Sequence, residues 1–188
     1  MKKTITFFTV LFLLTATAIP AQKNWTETVI GKIITIQNKG GQTIAYSADS
    51  GVKILTVDGF AFKDLNRNGK LDKYEDWSLP FDERAKDLAS QMSVEQIAGL
   101  MLYSRHQSIP ARTTGYFAGT YKGKTFTQGE TNPTDLTDQQ LEFLTKDNLR
   151  HVLITTVVSP EAAAQWNNKA QALCEGIGLG IPANNSSD

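Results

Sequence analysis

The sequence predicts an α/β fold, the incomplete N-terminal part of a (β/α)8 TIM barrel, preceded by a small β-meander. Residues 150–158 form a nearly continuous β-branched and apolar run, which is typical of a strand buried on both faces. A helical pattern follows from Pro160 until Gly176 breaks it, and a second strand begins at Ile181. Strand, helix and strand within about 30 residues form a βαβ unit, which requires a parallel sheet covered by helices.

The parallel sheet predicted in this way is too small for a complete barrel. A closed barrel of this type takes about 250 residues. In this chain of 188 residues we expect one βαβ unit and the start of the next. We therefore expect the chain to be a fragment, in which residues 78–188 are the truncated start of the barrel domain.

The first 21 residues have the parts of a secretory signal peptide. Lys2 and Lys3 form the basic start, residues 5–14 are apolar, and small residues continue to Ala21. An apolar run this short does not span a bilayer. No cysteine follows either candidate cleavage site, Ala18 or Ala21, to carry a lipid. We expect residues 1–21 to be removed and the mature chain to be exported, periplasmic or extracellular, and not attached to a membrane.

Charge and cysteine content bear on the kind of partner and on disulfide bonding. The whole chain has a formal net charge of +0, and removal of Lys2 and Lys3 leaves 17 basic side chains against 19 acidic ones. This balance does not favour a nucleic acid as partner. Cys174 is the only cysteine, so the chain forms no internal disulfide.

Residues 22–62 are predicted to form the β-meander. Three β-branched and apolar segments, Thr28 to Gln37, Thr43 to Ser47 and Val52 to Val57, are separated by turn-forming residues, the first of them at Asn38 to Gly41.

Three helices are predicted from their start signals and apolar faces. Asp82 is expected to cap the first, and Ser93 with Gln96 forms a capping box for the second. A similar box, Thr137 with Gln140, opens a helix that is expected to run to about Asp147.

Residues 105–134 lack a sustained period and are predicted to form a long loop. Its side chains His106, Arg112, Tyr116 and Phe117 are interpreted as solvated and are not assigned to a site.

The most informative segment is D-L-N-R-N-G-K-L-D-K-Y-E, from Asp64 to Glu75, within the predicted loop region 63–77. Its pattern is that of an EF-hand calcium loop, with oxygen ligands at positions 1, 3, 5, 7, 9 and 12 and glycine at position 6. Those ligand positions are occupied by Asp64, Asn66, Asn68, Lys70 (through its carbonyl), Asp72 and Glu75. The alternative is an ordinary polar turn, which the same residue types also favour. A single loop predicts a structural calcium ion rather than a calcium switch.

Several segments resemble the N-terminal region of glycoside hydrolase family 3. They are F-K-D-L-N-R-N-G-K-L-D-K-Y-E-D-W from Phe62 to Trp77, the following helices, D-N-L-R-H-V from Asp147, A-Q-W-N-N from Ala164, and L-G-I-P from Leu179 with the final Ser-Ser-Asp. The resemblance covers about residues 57–188 and is strongest to secreted bacterial β-glucosidase-like enzymes.

This resemblance implies a retaining exo-hydrolase of terminal β-linked sugars in oligosaccharides, which uses a carboxylate nucleophile and a carboxylic acid. In the family both carboxylates belong to regions that have no match in this chain, so we expect the chain to be inactive alone. The resemblance also implies that Asp188, at the end of the second predicted strand, binds hydroxyl groups of the terminal sugar. Arg150 and His151 are interpreted as capping or packing residues.

A function from another class is a calcium-stabilised secreted binding module similar to a dockerin, without catalysis. Dockerins contain two such loops, whereas this sequence contains one. A coding sequence that continues into a barrel beyond Asp188 would favour the glycosidase.

Overall fold

A computed structural model describes residues 23–125 and 132–187. The predicted signal peptide and Asp188 lie outside the described residues.

The N-terminal sheet contains three antiparallel strands in the order β1-β2-β3. They are β1 (Trp25–Ile30), β2 (Ile33–Asn38) and β3 (Thr43–Ser47). The prediction of one strand from Thr28 to Gln37 is wrong, because Gly31 reverses the chain with a left-handed φ of +59°. This segment instead forms the β1–β2 hairpin, in which Ile30 is paired with Ile33.

A second, separate hairpin follows. Strands β4 (Lys53–Val57) and β5 (Phe60–Asp64) pair with each other around a turn at Asp58 and Gly59, both of which have positive φ. The third strand predicted for the meander therefore pairs with β5 and not with β3.

The helices are α1 (Phe81–Gln91), α2 (Val94–Leu100), α3 (Asp138–Thr145) and α4 (Pro160–Glu175). The capping boxes predicted at Ser93 and Thr137 are both present. The prediction for Asp82 is wrong, because Pro80 is the N-cap of α1 and Asp82 lies in the first turn. Proline fixes its own φ and thereby begins the helix without a side-chain hydrogen bond.

A parallel sheet forms the second layer. Its strands are β6 (Gln107–Ile109), β9 (His151–Val157) and β10 (Asn184–Ser187), in the order β10-β9-β6. The predicted long loop thus contains β6, together with the short hairpin of β7 (Thr120–Tyr121) and β8 (Lys124–Thr125). Within residues 23–125 and 132–187 this sheet has three strands and does not close into a barrel.

The main core lies between the parallel sheet and helices α3 and α4. Trp166 and Cys174 of α4 are buried against Val152 of β9 and Leu144 of α3. Helix packing covers one face of β9, but Thr156 and Val157 at the end of the strand are exposed. The prediction that this strand is buried on both faces is therefore wrong for its carboxyl end.

A smaller core lies between the N-terminal sheet and the β4–β5 hairpin. It consists of Ile36, Ile44 and Ala61, with Trp77 packed against it. No helix in the described part of the chain has the length and apolarity needed to cross a lipid bilayer.

Candidate functional site

The segment predicted to bind calcium connects strand β5 to helix α1. Asp64 is the last residue of β5, and α1 begins at Phe81 after Glu75 and a series of turns. The helix that precedes the loop in an EF-hand is therefore replaced here by a strand. The similarity to an EF-hand is confined to the loop itself.

Asp64 has one occupied and one free carboxylate oxygen. Its side chain is almost fully buried, and Oδ2 accepts a hydrogen bond from the backbone N–H of Gly69 at 3.1 Å. Oδ1 is buried and has no hydrogen-bond partner among the described residues. Gly69 adopts a left-handed φ of +75°, as position 6 of the loop requires. A buried carboxylate oxygen without a donor is costly unless a cation or solvent reaches it.

The two asparagines organise the turn through their side-chain oxygens. Asn66 Oδ1 accepts from the N–H of Asn68 at 3.1 Å, and Asn68 Oδ1 accepts from the N–H of Lys70 at 2.7 Å. Both side-chain amides donate to Asp72 Oδ2, at 2.6 Å and 2.7 Å. These contacts draw Asp72 toward positions 3 and 5 of the loop.

Glu75 closes the loop from its other end. Its side chain is buried, Oε1 accepts from the N–H groups of Leu65 and Asn66, and Oε2 accepts from the N–H of Asp72. Burial raises the pKa of the Glu75 carboxyl, although the backbone donors oppose that effect.

The residue types of the loop suit a calcium ion, whereas most of their carboxylate oxygens accept hydrogen bonds in this structure. The predicted ligands lie in one loop and are oxygen donors, the chemistry that calcium prefers, and Asp64 Oδ1 is free to bind a cation. The oxygens of Glu75 and Asp72 Oδ2, however, accept N–H groups, and no three His, Cys, Asp or Glu side chains of the described residues are grouped as metal ligands. The ligand types of the loop thus suit calcium, while hydrogen bonds within the loop fix the positions of the Asp72 and Glu75 carboxylates.

The second strand of the predicted βαβ unit begins at Asn184 and not at Ile181, where it was expected. β10 runs parallel to β9, with Ser187 paired with Ile154, so both strands point the same way. Asn185 Nδ2 donates to Asn167 Oδ1 of α4. Asn185 Oδ1 and Ser186 Oγ are buried without partners among the described residues. Sequence reasoning assigned neither residue, because an Asn-Asn-Ser-Ser run also suits an exposed turn.

Arg150 has the packing role predicted for it. It is buried and donates to the carbonyl oxygens of Leu144, Leu149 and Ile181, at 2.7, 2.8 and 2.9 Å. It thereby joins α3, β9 and the segment before β10.

His151 stacks on Tyr103 with a ring-centroid distance of 5.2 Å, and its Nδ1 lies 3.1 Å from Asn184 Nδ2. These contacts connect the starts of β9 and β10.

A cavity of about 580 Å³ lies between the N-terminal sheet, the loop and α4. Lys63 and Glu175 form an ion pair beside it, and Glu75, Trp77 and Arg84 also line it. Sequence reasoning did not find this cavity, because it is formed by segments that are far apart in the chain, as the 112-residue separation of Lys63 and Glu175 illustrates.

No family model matches the chain. The chain is 39% identical over 140 residues to a protein of Dickeya chrysanthemi named periplasmic beta-glucosidase/beta-xylosidase. The match covers 73% of this chain and 19% of that protein, so the chain spans about a fifth of the length of the curated relative it matches. This similarity supports a glycoside hydrolase-like relationship.

Proposed function

We propose that this chain is the N-terminal part of an exported glycosidase of family 3, which hydrolyses terminal β-linked glucose or a related sugar from oligosaccharides. The observation that carries the proposal is the 39% identity to a periplasmic beta-glucosidase/beta-xylosidase over 73% of the chain. The name of that relative also supports export, as does the composition of residues 1–21.

The proposed reaction is a double displacement with retention of configuration. It needs two carboxyl groups about 5 to 5.5 Å apart, one as nucleophile and one as acid and base. We assign neither role to a residue of this chain. The whole protein would supply them from sequence that this chain does not contain.

Asp188 is proposed to bind substrate and not to react with it. A carboxylate at the carboxyl end of a parallel strand can accept hydrogen bonds from two adjacent sugar hydroxyls. The parallel pairing of β10 with β9 supports this proposal, since Asp188 follows Ser187, the last residue of β10, in the sequence.

The loop is proposed to bind one calcium ion. Asp64, Asn66, Asn68, Asp72 and Glu75 would hold it with side-chain oxygens, and Lys70 with its carbonyl. The ion would supply structural stability and no catalytic chemistry. The free, buried Asp64 Oδ1 supports this proposal.

The function is tested by hydrolysis of p-nitrophenyl β-glucoside and β-xyloside. The 188-residue chain is compared with a protein that continues past Asp188 in the same reading frame, and p-nitrophenyl α-glucoside is the matched control. We expect release of p-nitrophenol from a β-glycoside by the longer protein alone. Failure of the longer protein on both β-glycosides would contradict the proposal.

A further inference from the structure

A second, smaller cavity lies beside β6, in a region to which no function is assigned above. We name it the arginine cavity; its charged and aromatic lining consists of Arg105, His106, Arg112, Tyr116 and Phe117. The first two of these residues precede β6 and the other three follow it.

Cation and ring contacts hold the lining together. The guanidinium carbon of Arg105 lies 4.7 Å from the centre of the Tyr116 ring, within the range of a cation–π interaction. The rings of His106 and Phe117 are 5.9 Å apart, and Phe117 packs edge-on against Tyr116 at 5.1 Å.

The charged side chains that line the cavity, Arg105 and Arg112, are both basic. Arg112 Nε donates to Ser108 Oγ at 3.1 Å, which leaves the outer nitrogens of its guanidinium for another acceptor. Among the described residues no Asp or Glu lines the cavity, and neither Arg105 nor Arg112 forms an ion pair. Two guanidinium groups that line one cavity without a carboxylate favour an anionic oxygen ligand.

The cavity is small and its aromatic edge is exposed. Its volume is about 80 Å³. Tyr116 is 76% exposed and belongs to the lining, so its ring is available to a ligand that extends out of the cavity.

Part of the lining follows β6. Ala111 and Arg112 line the cavity and come directly after the strand and Pro110. The carboxyl ends of β6 and β9 point the same way, because the strands are parallel. Substrates of parallel α/β folds bind on this side of the sheet.

We propose that the arginine cavity binds the carboxylate of an acidic sugar unit, with Arg105 and Arg112 as ligands and Tyr116 against the sugar ring. This inference rests on the proposed function and extends it by naming uronate-bearing saccharides as a substrate class.

The test is calorimetric titration of the full chain with three probes: methyl β-D-glucuronide, methyl β-D-glucoside and acetate. The first carries both the ring and the carboxylate, and each of the others lacks one of them. We expect the glucuronide to bind at least about tenfold more tightly than either control, since a hydrogen bond to a charged group is worth about a factor of ten or more. Equal binding of the glucoside or of acetate would overturn the inference.

Variants identify the site. Arg105→Gln and Arg112→Gln should each weaken glucuronide binding about tenfold, whereas Lys124→Gln, which removes a nearby exposed charge outside the lining, should not. Thermal melting of each variant checks that it is folded. Unchanged glucuronide affinity in both folded arginine variants would also overturn the inference.

The inference and the proposed function fail separately. Hydrolysis of a neutral β-glucoside by the longer protein, without glucuronide binding, would contradict only the inference about the arginine cavity. Glucuronide binding at the arginines without hydrolysis of any β-glycoside would support the cavity as a sugar-acid site and contradict the glycosidase.

Discussion

Lys63 Nζ lies 2.5 Å from Glu175 Oε1, and this ion pair joins strand β5 to the last residue of helix α4. Lys63 also donates to the carbonyl oxygen of Ala45, and Glu175 Oε2 accepts from the N–H of Ser47. The pair thus connects strand β3 of the N-terminal sheet and strand β5 of the second hairpin with the helix that covers the parallel sheet. It lies next to Asp64, the first residue of the proposed calcium loop.

Removal of this pair should destabilise the protein more than removal of an exposed pair. Side-chain exposure is 26% for Lys63 and 13% for Glu175, so solvent screens the pair only in part. We expect Glu175→Gln to lower the free energy of unfolding by about 1.5 to 3 kcal/mol, the contribution of a hydrogen bond to a charged group. Denaturant unfolding measures the change.

The matched control is Asp49→Asn, which breaks the exposed pair with Lys32. An exposed pair contributes about 0 to 1 kcal/mol. Equal losses in the two variants would show that the Lys63–Glu175 pair has no special part in joining the layers.

Gly180, in the segment before β10, packs against Leu65 of the proposed calcium loop. A Cβ atom at Gly180 would lie 2.8 Å from Leu65 Cβ, and the residue has a φ of +67°. We expect Gly180→Ala to cost more than about 1 kcal/mol from the left-handed backbone alone, with a further loss from the collision with Leu65. The free energy of unfolding is again the measurement.

Gly51→Ala separates the two effects. Gly51 has a similar φ of +72°, but nothing lies within 4 Å of an added Cβ. A Gly180→Ala loss no larger than that of Gly51→Ala would contradict close packing between the loop and the β10 segment.

Calcium should raise the melting temperature of the chain. At a concentration 100 times its dissociation constant, a ligand that binds only the folded state stabilises it by about 2.7 kcal/mol. We expect the difference between melts in calcium and in chelator to disappear in Glu75→Gln and in Asp64→Asn. Differential scanning calorimetry provides both melts.

Asp58→Asn is the control for this experiment, because it removes one negative charge in the β4–β5 turn, outside the loop. Its calcium-dependent shift should equal that of the unmodified chain. A melt of the unmodified chain that is the same in calcium and in chelator would contradict the calcium proposal.

Asp138 should make the stability of the protein depend on acid pH. Its carboxylate accepts from the N–H of Gly123, from Thr120 Oγ1 and from the N–H of Lys122, at 2.8, 2.8 and 2.9 Å. The hydrogen bond from Gly123 contributes most to lowering the pKa of the Asp138 carboxyl, and the hydrogen bond from Thr120 lowers it further.

A carboxyl group whose pKa is lower in the folded state stabilises the protein above its unfolded pKa of about 3.9, and the stabilisation is lost as the pH falls through the folded value. We therefore expect Asp138→Asn to be less stable than the unmodified chain at pH 7, and the difference to shrink below about pH 3.9. Unfolding in urea at several pH values measures this. A constant Asp138→Asn difference across the pH range would contradict the account.

Local signals predicted much of the secondary structure. The boxes at Ser93 and Thr137 depend on residues three positions apart, and both are formed. The extent of α4 was also predictable, because Pro160 starts it and the Gly176 region ends it.

Features that depend on distant partners were missed. Strand β6 has three residues, and its pairing with β9 involves residues 47 positions away, such as Gln107 with Ile154. No local pattern specifies such a strand. The Lys63–Glu175 pair is formed by residues 112 positions apart and was missed for the same reason.

The loop was predictable as a pattern but not in its detailed contacts. Spacing alone placed Asp64 and Glu75 at its two ends, and the left-handed φ of Gly69 agrees with position 6. Spacing did not predict that Glu75 accepts three backbone N–H groups, because the same positions suit a cation.

The central claim, that the chain belongs to a retaining β-glycosidase, is tested most directly by proton NMR of the sugar released from p-nitrophenyl β-glucoside. The sample is the protein that continues past Asp188, and spectra are recorded before the anomers equilibrate. The account predicts that the β-anomer of glucose appears first, since two displacements restore the original configuration. No release of sugar, or the α-anomer appearing first, would contradict it.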